Sequence, residues 1–469
     1  MCKRRSLVLL FGLLFASLLQ AQNHFTSSPD SLLIIDKIIL SGNKITKSNI
    51  ILRELELKAG DRIFPHQLST KIKRSKENLL NRSLFNFVDI VPQRHDFNKI
   101  NLYIRLTERW YIWPIPILSY ADRNFNIWWT DHNFSHTNFG IDIQDNNFRG
   151  RMERLDFIIQ GGYDRSLLLK WSTPYINKKQ TWGIGMYGGF ILNHEIDYTL
   201  KDNRLVYYQD RHNYASRYYF AQLMATFRPK FNETHYLYLT YNSYQFADSI
   251  LLLNPDFAFG QRKFSYLSLE YDFKLDFRDY APYPLNGYYF EVNVLKEGLG
   301  MLNNKVKQFS IYLGFDQYIH LQKRWYFAYN ISTKVVTNKY QPHFLQQGLG
   351  YKPLTLRGYQ LYVVNGQAFG MFRSNLKFEL IPRSKAQFNF IKTDKFSKFF
   401  YALYANLFLD TGYIIDNRIN SRQPLTNRLL FGTGVGLDYI TYYDVVLRLE
   451  YTINRENEKA LFISFVAPI

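Results

Sequence analysis

The segment from Leu267 to Phe277 alternates, residue by residue, between large apolar side chains and polar or charged ones. Successive side chains of a β-strand point to opposite faces, so this period of two predicts a strand and excludes a helix. A soluble sheet could bury the apolar row in a core, whereas a membrane barrel would turn that row to lipid and the polar row to a wet lumen. The barrel also explains the many charges in the polar row. The apolar face consists of Leu267, Leu269, Tyr271, Phe273, Leu275 and Phe277, and the opposite face of Ser268, Glu270, Asp272, Lys274 and Asp276.

The same alternation recurs along the C-terminal part of the chain. Three further runs have the apolar rows Phe309, Ile311, Leu313 and Phe315; Trp325, Phe327, Tyr329 and Ile331; and Val445, Leu447, Leu449 and Tyr451. About 360 residues follow position 110, enough for about 15 to 18 strands with their connections, and a bacterial single-chain barrel needs an even number. Because open sheet edges cannot face lipid, we predict that residues 111–469 form a closed, mainly β domain, a 16-stranded antiparallel transmembrane β-barrel.

Composition agrees with a barrel. Aromatic residues make up 18% of the chain, yet the mean hydropathy is −0.27. After the N-terminus, no apolar run reaches the roughly 18 residues that a transmembrane helix needs. The formal net charge of +19 could indicate a nucleic-acid partner, but the sequence has no recognition helix, zinc-ligand spacing or RNA-binding motif. Anionic lipid head groups, or a cationic lumen, account for the charge more simply.

Residues 1–21 are predicted to be a signal peptide. A basic start from Lys3 to Arg5 precedes an apolar stretch from Leu7 to Leu19, and Ala21 is a small residue suited to the cleavage site. A retained membrane anchor is the alternative, which the short apolar stretch disfavours. Cleavage would remove Cys2, the only cysteine, and would lower the net charge from +19 to +16 through the loss of three basic residues. The mature chain would then have no disulfide and no thiol chemistry.

Residues 32–109 are predicted to form a small N-terminal α+β domain with the order β-α-α-β-β. The strands are expected at Leu33–Leu40, Phe87–Pro92 and Ile100–Leu106, and the helices at Thr46–Leu57, with Thr46 as N-cap, and Pro65–Asn81. With the residues Ile39–Asn43, Leu84–Val88 and Leu102–Glu108, the segment resembles a POTRA domain, and an ordinary α+β domain is the alternative. The resemblance implies that one sheet edge receives an extended client strand by β-augmentation.

A long segment without alternation, from Val336 to Gly370, separates two well-patterned strands. Connections of this length are usually either functional or disordered. Its centre is Leu356-Arg357-Gly358-Tyr359, in which the glycine permits a tight bend between an arginine and an aromatic residue. A loop arginine alone is a weak signal, because most such side chains are simply solvated. It becomes informative if a barrel lumen offers it a carboxylate.

Two acidic residues on the strands that follow this loop are expected to point into the lumen. Glu379 lies on the face opposite the apolar row of the strand Arg373–Ile381, and Asp410 is out of phase with the apolar row of Phe400–Tyr413. The next strand pair places glycines on its inner face, which leaves room for a segment packed inside the barrel. These glycines are Gly432, Gly434 and Gly436, followed by Asp438.

Four motifs carry a more specific signal: Leu356–Tyr359, Phe408–Gly412, Asn147–Arg151, and Asp276–Asp279 with Pro284–Tyr288. Together they resemble the BamA-type outer-membrane assembly proteins, the family also called bacterial surface antigens. In that family, the loop with the arginine folds back into the lumen and the arginine pairs with inward carboxylates. The resemblance implies that Arg357 pairs with Asp410 and Glu379. In a lumen with restricted water this pairing should exceed the roughly 0–1 kcal/mol of an exposed ion pair.

The resemblance also implies an outer-membrane location with the N-terminal domain in the periplasm. Unfolded barrel proteins or secreted proteins would be the clients, and the family's proposed mechanism opens the seam between first and last strands so that a client can template on the exposed edge. Outer-membrane lipid and periplasmic accessory proteins are further expected partners, and nucleic acid is not. A dedicated secretion pore or surface-antigen barrel, and an ion-conducting porin, remain as alternatives.

The chain departs from the best-known family members in two respects. It has one POTRA-like unit where they carry several, which weakens the case for a principal assembly machine. It ends Phe465–Ile469 without a terminal aromatic residue, and Pro468 cannot donate a ladder hydrogen bond. A weakly paired closing strand is therefore expected.

No residue pattern predicts an enzyme, a cofactor or a metal site. His132 and His136 stand four residues apart in a turn-rich segment with no third ligand nearby, which favours loop histidines over a metal site. The sequence has no Gly-rich phosphate loop between a strand and a helix, and no Gly-x-Ser-x-Gly elbow.

Overall fold

Three sheets, of four, two and 16 strands, make up most of the computed structural model. The structure describes residues 32–120, 137–303, 305–338, 342–346, 348–351, 353–391, 393–417 and 423–465. The predictions made above for residues 1–21, for His132 and His136, and for Pro468 lie outside the described residues.

The N-terminal domain has the predicted order of elements, with one short strand added. Its elements are β1 (Leu33–Ser41), α1 (Ser48–Arg53), β2 (Arg62–Ile63), α2 (Pro65–Leu80), β3 (Phe85–Arg94) and β4 (Lys99–Glu108). The sheet order is β2-β1-β4-β3, in which β1 and β4 are parallel and the other pairs antiparallel. Ile35, Ile51, Phe85 and Ile104 are fully buried between the sheet and the helices. One edge of this sheet is therefore the ten-residue strand β3.

The first helix is shorter than predicted, and Thr46 does not cap it. Helix α1 begins after Lys47, which makes no side-chain cap hydrogen bond. The Thr46 hydroxyl instead lies 2.9 Å from the Tyr111 hydroxyl and accepts a hydrogen bond from Asn147 Nδ2 at 2.9 Å. Thr46 is drawn to partners distant in sequence, which a local capping rule does not anticipate.

The large sheet follows the chain order apart from one excursion, and it confirms the predicted 16-stranded antiparallel architecture. Its strands are β5 (Ile112–Tyr120), β6 (Thr137–Phe148), β7 (Glu153–Gly162), β8 (Arg165–Thr173), β9 (Trp182–Asn193), β12 (Ser216–Phe227), β13 (Glu233–Phe246), β14 (Lys263–Asp276), β15 (Gly287–Glu297), β16 (Gln308–Gln322), β17 (Trp325–Val336), β18 (Ala368–Gln387), β19 (Lys398–Ile415), β20 (Leu429–Ile440), β21 (Val446–Asn454) and β22 (Lys459–Ser464). The excursion is a hairpin of β10 (Glu195–Lys201) and β11 (Arg204–Gln209). Short helices lie at Asp248–Leu253 and Asp394–Ser397, and 3-10 turns at His343–Leu345 and Tyr442–Asp444.

Burial in the large sheet is the reverse of that in a soluble sandwich. On β19, the apolar residues Leu407 and Leu409 are 56% and 47% exposed, while the residues that follow each of them, Phe408 and Asp410, are buried. Side chains that alternate in this way put an apolar row outside and a partly charged row inside, as a lipid-facing barrel requires. Within the described ranges, no helix is long and apolar enough to cross a membrane.

A buried ion-pair cluster around Glu54 holds the N-terminal domain against one end of the barrel. Arg228, from the turn between β12 and β13, donates to both carboxylate oxygens of Glu54 at 2.5 and 2.8 Å. The Tyr175 hydroxyl donates to the same carboxylate at 3.1 Å, and Arg82 Nε lies 3.8 Å from it. Burial by itself would raise the pKa of Glu54, but Arg82 and Arg228 lower it to about 2. The carboxylate therefore stays charged despite being fully buried.

Other contacts extend this junction along the same end of the barrel. The motif Asn147–Arg151 lies at the turn between β6 and β7, where Asn147 contacts Thr46. On the side of the first and last strands, Arg109 Nη1 lies 2.6 Å from a carboxylate oxygen of Asp444, in the turn between β20 and β21. The domain thus rests on turns from several parts of the barrel.

Replacing Glu54 by Gln should lower the free energy of unfolding by about 3–5 kcal/mol at pH 7, because Arg228 would stay buried without its counter-charge. The pKa of Glu54 is lowered from 4.5 to about 2, so its contribution is complete above about pH 4.5 and declines as the pH falls toward 2. The difference between variant and wild type should therefore narrow from pH 7 to pH 3. Chemical unfolding in detergent micelles at both pH values measures it.

Glu56→Gln is the matched control, since Glu56 is partly exposed and lies 3.9 Å from the exposed Arg74. It should change the free energy of unfolding little, as exposed ion pairs do. A Glu54→Gln variant that unfolds like Glu56→Gln would contradict the role assigned to the cluster.

Candidate functional site in the barrel lumen

The connection between β17 and β18 folds back into the barrel as a finger, here defined as Leu349–Val364. Two backbone hydrogen bonds between Leu349 and Val364, of 2.9 and 2.8 Å, close its base. At its tip, Leu356, Arg357 and Tyr359 are buried. The apolar cluster that receives the tip includes Phe369, Met371, Ile414, Leu425 and Leu430. The described part of the segment without alternation is thus packed against the barrel wall.

Arg357 and Asp410 form a bidentate ion pair inside the lumen. Arg357 Nε donates to Asp410 Oδ2 at 2.7 Å, and Nη2 donates to Oδ1. The backbone N–H of Arg357 donates to Oδ2 as well, at 3.2 Å. Asp410 is fully buried on β19, so three donors from one residue replace its hydration.

The remaining guanidinium hydrogens also have partners. Nη1 donates to Asn375 Oδ1 at 2.7 Å and lies 3.4 Å from Glu450 Oε1, and Nη2 donates to the carbonyl of Ser374 at 3.1 Å. The guanidinium carbon lies 4.0 Å from the centre of the Phe408 ring. One side chain therefore connects β18, β19 and β21, and a lysine could not replace its planar fork.

Two glycines allow the finger to approach the wall closely. A Cβ on Gly432 would lie 1.9 Å from the carbonyl oxygen of Arg357, so only glycine fits at this point of β20. Gly358 has φ +89, a backbone conformation that glycine adopts without strain. At the other inner-face glycines the nearest obstacle is the backbone of β21: a Cβ on Gly434 would lie 2.0 Å from the carbonyl oxygen of Tyr451, and one on Gly436 would lie 3.0 Å from that of Leu449.

The finger is also attached to the last hairpin of the barrel. Tyr359 donates to Glu456 and Tyr362 to Glu458, both in the connection between β21 and β22. Asn454 Nδ2 donates to the carbonyl of Gly358 at 2.9 Å. Movement of that hairpin and movement of the finger are therefore mechanically connected.

A second segment enters the lumen from the end at which the N-terminal domain lies. The turn between β14 and β15, which includes most of the motif from Asp276 to Tyr288, carries Tyr283 against β20, where its hydroxyl donates to Asp438 Oδ2 at 2.8 Å. Arg448 donates to both oxygens of Asp438 at 2.7 and 2.9 Å, and its Nε lies 3.9 Å from Glu450. Because Glu450 also faces Arg357, buried charges form a continuous row from this turn to the finger.

The structure brings Arg357 to Asp410, but it does not bring Glu379 to Arg357. Glu379 accepts a hydrogen bond from the Tyr404 hydroxyl at 3.0 Å, and none of the contacts described for Arg357 involves it. The β18 residue beside Arg357 is Asn375, and four residues of extended strand separate Asn375 from Glu379, which is about 13 Å. Glu379 therefore lies on the same inner face as Tyr404, but at a different height in the barrel from Arg357.

Glu450 takes the place that was predicted for Glu379. The signal was present in the sequence, because Glu450 opposes the apolar row of Val445, Leu447, Leu449 and Tyr451. The alternation predicts which face a residue occupies, but it does not predict at what relative heights β18, β19 and β21 place their inward residues in the barrel. Within the described ranges no three His, Cys, Asp or Glu side chains are grouped to hold a metal ion.

Arg357→Ala should leave export intact but lower the free energy of unfolding of the barrel by about 3–5 kcal/mol and impair function. Asp410 would remain fully buried without its partner, which is the costly way to break such a pair. Asp410→Asn should reproduce most of the loss, and the double variant should lose much less than the sum. Chemical unfolding in micelles measures the free energy of unfolding, and the amount of protein in the outer-membrane fraction measures export.

Arg455→Ala is the control, because Arg455 is an exposed arginine that donates to the carbonyl of Leu429. It should unfold like the wild type. Wild-type stability together with wild-type growth in Arg357→Ala would remove the central role assigned to this arginine.

The chain matches two family models. The Omp85 superfamily domain matches residues 147–465, and POTRA, described as a surface antigen variable number repeat, matches residues 33–109. No curated protein sequence matches the chain.

The solved structures similar to this one include the following two. BamA from Haemophilus ducreyi lacking POTRA domains 1–3 has 14% identity and a TM-score of 0.50, with 92% of this chain and 83% of that chain covered. CdiB from Escherichia coli has 12% identity and a TM-score of 0.51, with 93% and 75% covered. At these identities the likeness shows the fold alone. Since the Omp85 model covers most of the chain, and a POTRA domain precedes it, the protein belongs to the Omp85 superfamily.

Proposed function

We propose that this protein assembles or inserts other proteins at the bacterial outer membrane, using the seam between the first and last barrel strands. One observation carries the proposal. Within the described residues, the large sheet runs in order from β5 to β22, and no ladder joins these two strands. Strand edges exposed to lipid leave backbone groups without hydrogen-bond partners, and a client strand can supply the missing partners. Client folding would provide the energy.

The seated finger supports this function over that of an ion-conducting porin. Arg357 and Tyr359 fix the finger inside the lumen, and Arg448 continues the row of buried charges below it. A lumen obstructed in this way favours lateral delivery of a client over passage of small ions through the middle. In this proposal the contacts in the lumen stabilise the barrel wall, and the seam binds the client strand.

The edge strand β3 of the POTRA domain is the candidate site for client capture. It is ten residues long, pairs with β4 on one side, and within the described residues has no strand on the other. The opposite edge of the sheet is less regular, because the two residues of β2 pair only with Leu33 and Ile34 at the start of β1. An extended client segment could add to β3 through main-chain hydrogen bonds, with little demand on its sequence.

The proposed location is the outer membrane, with the POTRA domain on the periplasmic side. The exposed apolar row of β19 and its neighbours would contact lipid, and anionic head groups would interact with the basic excess of the chain. Periplasmic accessory proteins would bind the POTRA surface that faces away from the barrel.

Locking the seam with a disulfide tests the proposed mechanism. A variant with Ile112→Cys and Phe465→Cys, whose side chains are both on the exposed face at the POTRA end of the barrel, should lose function under oxidising conditions and recover it when reduced, because the edges could no longer separate. Growth of a strain that depends on the protein, and insertion of a urea-unfolded barrel protein into proteoliposomes, are the readouts. Full function with the disulfide formed would contradict lateral opening.

The control disulfide joins strands that are already paired. Leu437 and Leu449 are directly opposite on β20 and β21, so cysteines at these positions should cross-link without affecting function. This control separates the effect of closing the seam from that of oxidation itself.

Depletion separates general assembly from the alternative of a dedicated secretion pore. If the protein serves many clients, its depletion should reduce many outer-membrane barrels, which quantitative proteomics of the membrane fraction measures. Loss of a single exported protein with other barrels unchanged would favour the dedicated role.

A further inference from the structure

A cavity of about 630 Å³ lies between the POTRA domain and the rim of the barrel. Helix α2 forms one wall, and the turns between β12 and β13 and between β14 and β15 form the other. Asn81, which follows α2, joins the two walls: its Nδ2 donates to the carbonyl of Arg278 at 3.3 Å, and its Oδ1 accepts from the N–H of Ala281 at 3.0 Å. A volume of this size is typical of pockets that hold small molecules.

The barrel wall of this cavity continues into the lipid-facing surface. Leu275 and Phe277 line the cavity and also belong to the apolar row of β14. Phe277 is 45% exposed, and its ring stacks on that of Tyr288 with 4.8 Å between the centroids. Aromatic residues at the end of barrel strands mark the level of the lipid head groups. A molecule with an apolar tail on this row could therefore place a polar head in the cavity.

Three ion pairs line the cavity, and in each of them the basic side chain is the exposed partner. The basic side chains are 72%, 63% and 78% exposed, whereas their carboxylate partners are 28%, 21% and 22% exposed. Because exposed ion pairs contribute little to stability, these basic groups can turn toward a second anion at small cost. The pairs are Lys73 with Glu77 at 3.8 Å, Arg74 with Glu56 at 3.9 Å, and Lys230 with Glu233 at 3.1 Å.

The other charged groups of the cavity leave one carboxylate in excess. Arg278 donates to both oxygens of Asp276 at 2.8 and 2.7 Å, and Arg82 lies 3.8 Å from the buried Glu54. Asp279 accepts hydrogen bonds from two backbone N–H groups of its own turn, but no lysine or arginine of the described residues forms an ion pair with it. The cavity therefore favours a ligand that carries a positive charge.

Glu77 and Asp279 are the carboxylates that such a charge would meet. Burial raises the pKa of the Glu77 carboxyl; the nearby Lys73 lowers it, and the charge of Asp279 raises it again. Burial raises the pKa of Asp279 as well. A cation beside both carboxylates would stabilise their charged forms. A primary ammonium also brings three N–H donors for them, which a quaternary ammonium lacks.

We propose that this cavity binds the head group of a zwitterionic phospholipid that carries a primary amine, taken from the periplasmic leaflet of the outer membrane. The ammonium lies at Glu77 and Asp279, the exposed basic side chains hold the phosphate, and the acyl chains follow the apolar row that ends at Phe277. The bound lipid connects helix α2 to the rim of the barrel. This inference needs the proposed membrane location, but it does not depend on the proposed assembly of other proteins.

Lipid titration of the delipidated full-length protein tests the choice of head group. Native mass spectrometry in detergent with EDTA compares phosphatidylethanolamine, phosphatidylcholine and phosphatidylglycerol with identical acyl chains. Phosphatidylethanolamine should bind as one saturable equivalent, roughly tenfold more tightly than the other two, which is about the effect of one hydrogen bond to a charged group. Equal binding of the three lipids would overturn the inference.

A pair of charge-neutral double variants tests the position of the site. Lys73→Gln with Glu77→Gln removes one ion pair from the cavity and should lower the affinity for phosphatidylethanolamine roughly tenfold, to the level of phosphatidylcholine. Lys76→Gln with Asp89→Asn is the matched control, because it removes an ion pair of 3.6 Å that also involves α2 but does not line the cavity. The control should bind like the wild type. Heat-modifiable migration on gels verifies that both variants are folded.

Two further outcomes would contradict the inference. If both double variants bind phosphatidylethanolamine like the wild type, the lipid binds elsewhere on the barrel. Soluble phosphoethanolamine should compete only weakly, since it has no acyl chain to place on the apolar row, and competition as strong as that of the lipid would show that a lipid is the wrong source. The proposed function is judged separately by the insertion assay, so either result can fail without the other.

Discussion

A backbone that crosses lipid must find all its hydrogen-bond partners within the protein, and this constraint shapes the whole molecule. Fourteen of the 16 strands meet it by having a neighbour on each side, in the order given by the chain. The two strands at the ends of the sheet have one ladder each within the described residues. On β5, Pro114 and Pro116 lower the number of groups that need a partner, since a missing N–H cannot be left unsatisfied.

The lumen is governed by the complementary rule that buried charges need partners. Arg357 satisfies Asp410, and Arg448 satisfies Asp438, each through two hydrogen bonds to one carboxylate. Glu450 lies between the two arginines, so the finger and the turn that carries Tyr283 belong to one electrostatic unit. Breaking one pair leaves a charge in a poorly solvated interior, which explains why the finger stays seated in a wide barrel.

The same rule operates at the junction with the POTRA domain. Glu54 is fully buried and remains charged because Arg228 and Arg82 surround it, and the pKa of its carboxyl is lowered accordingly. Asn81, at the end of α2, caps the turn between β14 and β15 by donating to Arg278 and accepting from Ala281. Since that turn also presents Tyr283 to the lumen, the POTRA domain and the interior of the barrel share a physical boundary.

The sequence by itself determined the architecture, because the period of two is a local property that each strand carries. It identified the small N-terminal α+β domain, the 16 strands, and the rows that face lipid. It also predicted that Asp410 and Glu379 point inward, and it marked Arg357 as the centre of an unpatterned loop. The predicted first helix is longer than the observed one. Thr46 does not cap it, because its hydroxyl forms hydrogen bonds with Tyr111 and Asn147 across the junction.

Only the tertiary structure decided at which height in the barrel each inward-facing charged residue lies and which residue it contacts. Whether Arg357 meets Glu379 or Glu450 depends on the stagger between strands that are far apart in sequence, and a local alternation carries no information on that stagger. The ladder of β5 with β6 likewise decides that the backbone positions of Pro114 and Pro116 face away from β6. The sequence could not show this, because an alternating pattern distinguishes the two faces of a strand and not its two edges.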